Sequence, residues 1–259
     1  MQTSLKGRHA LVCGASQGIG RACAEALAGQ GAAVTMLARN AEALEEVRNG
    51  LAGEGHHCLA CDLSNWSEAA SAVQGHIDAI GPVHILVHNS GGPKAGPAIE
   101  ASPEDMLAGL TPHVLGGQAL VRAVVPGMRA EGYGRIINIV STSVVMPIKG
   151  LGVSNVVRGA INNWMRILAS ELGPDGITVN NILPGYVGTG RLSSLIDGRA
   201  QRDGSTPAEV EAAWKSTIPA GRFAEPSEIG DACAFLASPA AAYVSGVNLP
   251  VDGARLAAM

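Results

Sequence analysis

The sequence predicts an α/β fold: one domain on a doubly wound parallel sheet of about seven strands, with helices on both faces. Three observations predict it. Short apolar runs alternate with helical stretches along the chain. Several of those runs, such as Ile85-Leu86-Val87, are apolar at every position. A glycine-rich turn separates the first run from the first helical stretch. Alternating strands and helices give right-handed crossovers and therefore parallel strands. Continuous apolar runs belong to strands that are covered on both faces.

Each element follows in order. His9-Ala10-Leu11-Val12-Cys13 reads as the first strand, and the Ala-rich stretch from Arg21 to Gln30 as a helix that Gly31 stops. Ala33 to Leu37 is the second strand, and Ala41 to Leu51 a helix with Glu and Arg on its polar side. Cys58-Leu59-Ala60-Cys61 is a short third strand; Val83 to Val87 and Arg135 to Val140 are the fourth and fifth. Ile177 to Ile182 is the sixth, and Val247-Asn248-Leu249 belongs to the last. Between the fifth and sixth, Val157, Ile161, Trp164, Leu168 and Leu172 recur at helical spacing. Val156, Ala160 and Met165 predict a second apolar face on that helix, one face for the sheet and one for a partner subunit. Gly188 to Pro219 is polar and irregular, with a short helix from Pro207 to Lys215, and reads as a lid or binding loop. No repeat or linker divides the chain, so residues 1–259 read as one domain with a lid at 188–219.

Composition removes several function classes. The chain has 259 residues, 18 Lys+Arg against 22 Asp+Glu, a net charge of −4 and no basic run. That argues against nucleic acid or an anionic membrane as the main partner. No apolar stretch reaches the roughly 18 residues a membrane span needs. The polar start, with Lys6, Arg8 and His9, does not read as a secretory signal. Cys13, Cys23, Cys58, Cys61 and Cys233 are an odd, scattered set, which predicts reduced thiols and a cytoplasmic protein. Cys58 and Cys61 lie along a strand rather than at a helix N-terminus, so a redox pair is not expected. His84 and His88 would sit about 13 Å apart on an extended strand, too far to share a metal. No metal site is predicted. The 34 glycines imply tight turns and places where backbone approaches a ligand.

The glycine-rich turn is Gly14-Ala15-Ser16-Gln17-Gly18-Ile19-Gly20, with glycines spaced G-x-x-x-G-x-G. Such a turn lets backbone approach a pyrophosphate, which the free N–H groups and positive dipole end of the next helix then hold. The second strand ends Leu37-Ala38-Arg39. An NAD site usually places an acid there for the ribose 2′-hydroxyl. Arg39 instead suits a 2′-phosphate, so NADP(H) is favoured over NAD(H); the plain alternative is a solvated charge.

With these residues the chain resembles the short-chain dehydrogenase/reductase family, a Rossmann-fold family, from Leu5 to Gly253. The family's turn corresponds to Gly14, Gly18 and Gly20, with Ser16, Gln17 and Ile19 between them. Its acid at the adenine corresponds to Asp62, followed by Leu63. Its Asn-Asn-Ala-Gly segment appears as His88-Asn89-Ser90-Gly91. Its Pro-Gly motif is Pro184-Gly185-Tyr186-Val187-Gly188-Thr189, where the resemblance implies that Val187 and Thr189 hold the nicotinamide amide.

The resemblance breaks at the chemistry. The family relies on Asn, Ser and a Tyr-x-x-x-Lys pair. Ser141 matches the Ser, but Ser154 stands at the Tyr position, Arg158 at the Lys position and His113 at the Asn position. No Tyr of this chain is followed four residues later by Lys: Tyr133, Tyr186 and Tyr243 precede Ile137, Gly190 and Val247. A Ser hydroxyl is too short and too weakly acidic to replace a phenol. Arg158 can hold ribose hydroxyls and lend charge, but does not donate a proton. His113, with an ordinary pKa of about 6.5, is one substitute acid, turned towards the cleft by a kink at Pro112. Tyr186 is another. Each has an inert alternative: a packed imidazole, and a wall of the substrate pocket.

Three functions remain open at this level. The first is an NADP(H)-dependent carbonyl reductase or alcohol dehydrogenase, similar to 3-oxoacyl-thioester reductases, acting on a small molecule with a non-standard proton donor. The second is a non-redox NADP(H)-binding sensor or scaffold. The third is a lyase or isomerase with His113 as base. The two-faced helix and the family's habit imply a homotetramer or homodimer.

Overall fold

The computed structural model describes residues 2–258. The strands are β1 His9–Cys13, β2 Ala33–Ala38, β3 His57–Ala60, β4 Ile85–His88, β5 Gly134–Ile139, β6 Ile177–Pro184 and β7 Asn248–Val251. They form one sheet in the order β3-β2-β1-β4-β5-β6-β7, with every neighbouring pair parallel. The order reverses between β1 and β4, which opens a crevice at the carboxyl ends of those two strands.

The helices are α1 Gly18–Gly29, α2 Ala41–Gly50, α3 Trp66–Ile80, α4 Pro103–Leu110, α5 Gly116–Glu131, α6 Gly152–Leu172, α7 Gly190–Asp203, α8 Pro207–Lys215 and α9 Pro226–Ala237. Successive strand residues point to opposite faces, and here both faces are apolar. Ala10 and Val12 of β1 pack with Leu27 of α1, Leu44 of α2 and Ile229 of α9. Leu11 and Cys13 pack with Val73 of α3, Leu120 of α5 and Met165 of α6. Burial on both sides is what the continuous apolar runs required.

Several expectations need correction. Helix α1 begins at Gly18, inside the glycine-rich turn, rather than at Arg21. Strand β6 runs on to Pro184. Met165 is fully buried in the core rather than on an outward face; on α6 it is Val156 and Ile167 that lie exposed, at 49% and 56%. The supposedly irregular stretch after Gly188 contains the 14-residue helix α7. Leu192, Ile196 and Ala200, each four apart, bury one stripe of it against Val210 and Trp214 of α8, and that burial outweighs the cost of Gly198 in mid-helix. Helix α8 spans Pro207–Lys215 as predicted, with a Thr206/Glu209 capping box.

At the amino edge of the sheet, Thr35 Oγ1 lies 2.7 Å from His9 Nε2 and 2.7 Å from His76 Nε2. The hydroxyl donates to one ring and accepts from the other. All five cysteines are free, and no helix among the described residues is long and apolar enough to cross a membrane.

Candidate active site

The residues singled out from the sequence converge where β1, β4, β5 and β6 end. Gly14 leaves β1 with φ +62 and its N–H donates to the Leu37 carbonyl at 2.7 Å. A Cβ on Gly14 would lie 2.6 Å from Asn89 Nδ2, and one on Gly20 would overlap the Gly14 carbonyl. Asn89 Nδ2 itself donates to the Cys13 carbonyl at 3.2 Å, tying the loop after β4 to the end of β1. The turn is therefore packed to backbone thickness. Gln17, the N-cap of α1, provides no side-chain acceptor, so the first N–H groups of α1 remain available to a ligand's oxygens. Thr189 Cγ2 would stand 3.3 Å from a Cβ on Gly18, which places the Pro-Gly motif across the turn. This cradle fits a dinucleotide pyrophosphate.

Ser16, Gln17 and Ile19 lie within the turn, and Ser90 and Gly91 follow Asn89 at its rim. Arg39 is exposed just beyond β2 and, among the described residues, forms no ion pair. Asp62 accepts the Ser64 N–H at 2.9 Å and Leu63 is buried. Val187 is buried, and its carbonyl accepts the Thr189 hydroxyl at 3.3 Å. Thr189 also caps α7. Pro184 ends β6, and Gly185 N–H bonds the Val251 carbonyl at 3.0 Å.

On the opposite wall, Ser141 follows β5 and its Oγ accepts the Ser143 N–H at 3.0 Å, leaving its own hydrogen to donate elsewhere. Ser154 is half-buried in the first turn of α6. Arg158 lies one turn further on the same side, 8% exposed, with Nη1 donating to the Ile139 carbonyl at 2.8 Å. Burial and the neighbouring Arg191 lower Arg158 to about 10, so it remains a cation at neutral pH.

Pro112 does redirect the chain, through a π turn over Thr111–Leu115 closed by Gly116 N–H on the Thr111 carbonyl. The turn aims His113 inward. Its Nε2–H donates to the Gly91 carbonyl at 3.0 Å, and Nδ1 has no partner. Burial, then Arg158 and His88, push its pKa down to about 2. Titration near neutrality, expected from its ordinary value, does not survive this environment. Tyr186 stacks on Trp214 at 4.9 Å and 12°, with Phe223 beside it and the Arg255 guanidinium over the ring at 4.9 Å. Burial raises its pKa, so it keeps its proton at neutral pH.

The sequence reading missed Arg191. From the first turn of α7 its Nη2 donates to the Pro93 carbonyl at 2.7 Å, crossing the mouth of the cleft. The charges of the mouth loops, compared with one another, were the signal that would have found it.

This arrangement defines a Rossmann-type dinucleotide site with a Ser-and-guanidinium wall facing it. The chain belongs to the short-chain dehydrogenase/reductase family: the family model described as enoyl-(acyl carrier protein) reductase matches residues 14–254. It is 34% identical over 247 residues to carbonyl reductase family member 4 of Danio rerio, covering 95% of this chain and 97% of that one. It is 32% identical to gluconate 5-dehydrogenase of Gluconobacter oxydans, covering 96% and 95%. The crystal structure of L-sorbose reductase from Gluconobacter frateurii, complexed with NADPH and L-sorbose, superimposes with a TM-score of 0.90 at 30% identity over 98% of both chains.

Proposed function

We propose that the protein is an NADP(H)-dependent carbonyl reductase or alcohol dehydrogenase of small molecules that works without the family's Tyr-Lys pair. The packed turn at Gly14 and Gly20, open to α1's first N–H groups and followed by the exposed Arg39, carries the reading. The NADPH-bound sorbose reductase supports the cofactor preference. Gly14, Gly18 and Gly20 admit the pyrophosphate, Arg39 takes the 2′-phosphate, Asp62 faces the adenine, and Val187 and Thr189 hold the nicotinamide amide. NADPH, when bound, supplies the hydride. Ser141 donates a hydrogen bond to the substrate oxygen. Arg158 holds ribose hydroxyls and stabilises the negative charge that grows on that oxygen. His113 is neutral and Tyr186 is held in the stack with Trp214 and Phe223, so water reaching the half-buried Ser154 hydroxyl provides the proton. The low basicity of His113 weighs against a lyase that uses it as base. The segment 188–219 closes over the substrate, with Tyr186 as its floor. Exposed Val156 and Ile167 on α6 support a homotetramer or homodimer; a monomeric mass by light scattering at micromolar concentration would refute it.

Fluorescence titration with NADPH and NADH tests the cofactor reading: micromolar NADPH binding with NADH much weaker is expected, and no binding of either overturns it. The absence of any Tyr-x-x-x-Lys favours one second reading, a non-redox NADP(H) sensor. The double variant Ser154→Tyr, Arg158→Lys separates the two. Reductase activity appearing only in that variant would favour the sensor.

A further inference from the structure

The charges nearest the substrate half of the cleft are mostly positive. The segments that follow β4, β5 and β6, residues 89–97, 141–151 and 185–191, the last running into the first turn of α7, contain Lys94, Lys149 and Arg191 and no acid, in a chain whose net charge is −4. Two hydrogen bonds, Gly96 N–H to the Gly150 carbonyl at 2.7 Å and Gly152 N–H to the Gly96 carbonyl at 2.8 Å, zip the first two loops together, with Lys94 and Lys149 flanking the join. Arg191 closes the third loop onto the first through the Pro93 carbonyl. Buried Arg158 lies beneath, close enough for the charge of Arg191 to lower its pKa.

None of these four cations is in an ion pair among the described residues. Of the acids in neighbouring segments, Glu100 points to solvent four residues beyond Gly96, and others are engaged elsewhere. Asp105 caps α4, Glu211 pairs with Lys215 at 2.6 Å, and Asp252 accepts the N–H groups of Ala254 and Leu256. Arg158 is buried and Arg191 stands exposed above it at the mouth, and an anion between the two guanidinium groups would offset their like charge. Arg191 spends only Nη2 on Pro93 and keeps further donors in the fork geometry that suits a carboxylate.

We propose that the substrate is a carbonyl compound, or the corresponding alcohol, bearing a carboxylate, and that Arg191 is the residue that recognises the carboxylate. The inference rests on the reductase reading above and narrows its substrate class. The other anion within reach is the cofactor's own pyrophosphate, and the experiment separates the two sources.

The test titrates NADPH-loaded protein calorimetrically with matched pairs that differ only in charge. One pair is 5-keto-D-gluconate and L-sorbose, which have the same carbon skeleton and ketone and differ by carboxylate against CH2OH at the far end. The other is 4-oxopentanoate and its methyl ester. In at least one pair the carboxylate should bind about tenfold tighter or more, the scale of a hydrogen bond to a charged group. Arg191→Gln should erase that gap and leave NADPH affinity within about threefold. Equal binding within both pairs, or no carboxylate binding at about 10 mM, overturns the inference. So does a gap that persists in Arg191→Gln, or a loss of NADPH affinity in that variant, which would assign Arg191 to the pyrophosphate. If NADPH itself fails to bind the native protein, the reductase reading falls first and is recognised as the cause.

Discussion

Arg158 reaches from the second turn of α6 to the carbonyl oxygen of Ile139, the last residue of β5, and holds it at 2.8 Å. One hydrogen bond thus fixes a cation at the end of the strand that leads into Ser141. Two effects of opposite sign meet there. Arg158→Met would leave the Ile139 carbonyl short of a donor, costing about 1–3 kcal/mol. It would also remove a buried charge that has no anion, which is stabilising by a similar amount. We expect Arg158→Met to stay within about 1 kcal/mol of native stability in urea, while NADPH affinity falls at least about tenfold. A large stability loss with unchanged affinity would make Arg158 structural.

Gly14 combines a left-handed φ with a contact that a Cβ cannot share. Gly14→Ala should lower stability by about 1–3 kcal/mol, measurable as a fall in Tm of a few degrees, and should abolish NADPH fluorescence enhancement. Full binding by this variant would contradict the cradle.

Cofactor choice should turn on one exposed side chain. Arg39→Asp removes the bidentate partner of a 2′-phosphate and adds an acceptor for a 2′-hydroxyl. The ratio of NADPH to NADH affinity should fall by about a hundredfold, read by parallel titrations. An unchanged ratio would show Arg39 to be a solvated charge.

Acid should unfold the protein early. Burial lowers His9 and His88 to about 4 and His113 to about 2. Their folded pKa values lie below the unfolded value of about 6.5, so on acidification the unfolded chain takes up protons that the native state refuses. The stabilisation is complete above about pH 6.5 and is lost as the pH falls, down to about 4 for His9 and His88 and down to about 2 for His113. Urea midpoints should therefore drop steadily between about pH 7 and pH 5; a flat profile there would contradict the buried neutral histidines.

The sheet was legible because its signal is local. Each apolar run is continuous, and strands at the centre of a two-sided sheet have no other composition open to them. Gly14, Gly18 and Gly20 were legible because a backbone approach leaves a spacing behind. The fate of Met165 was not, since a helix wheel does not say how deeply a residue next to the core stripe will sink. Nor was α7, where Asp197-Gly198 looks like a turn until Leu192, Ile196 and Ala200 find α8 to cover them. His113 marks the limit most clearly. Its position could be counted along the chain, but its basicity depends on burial and on Arg158, 45 residues away in sequence.

The π turn at Thr111–Leu115 encloses one residue more than an α turn would over the same carbonyl. Removing any single residue there would let α4 and α5 run on as one regular helix, with one half turned by about 100° against the other. His113 would then swing away from Gly91 although every side chain around the cleft had been kept. The aim of that imidazole is stored in a residue count rather than in a residue type, so a scan of substitutions across the site would pass over it, and a one-residue deletion would find it.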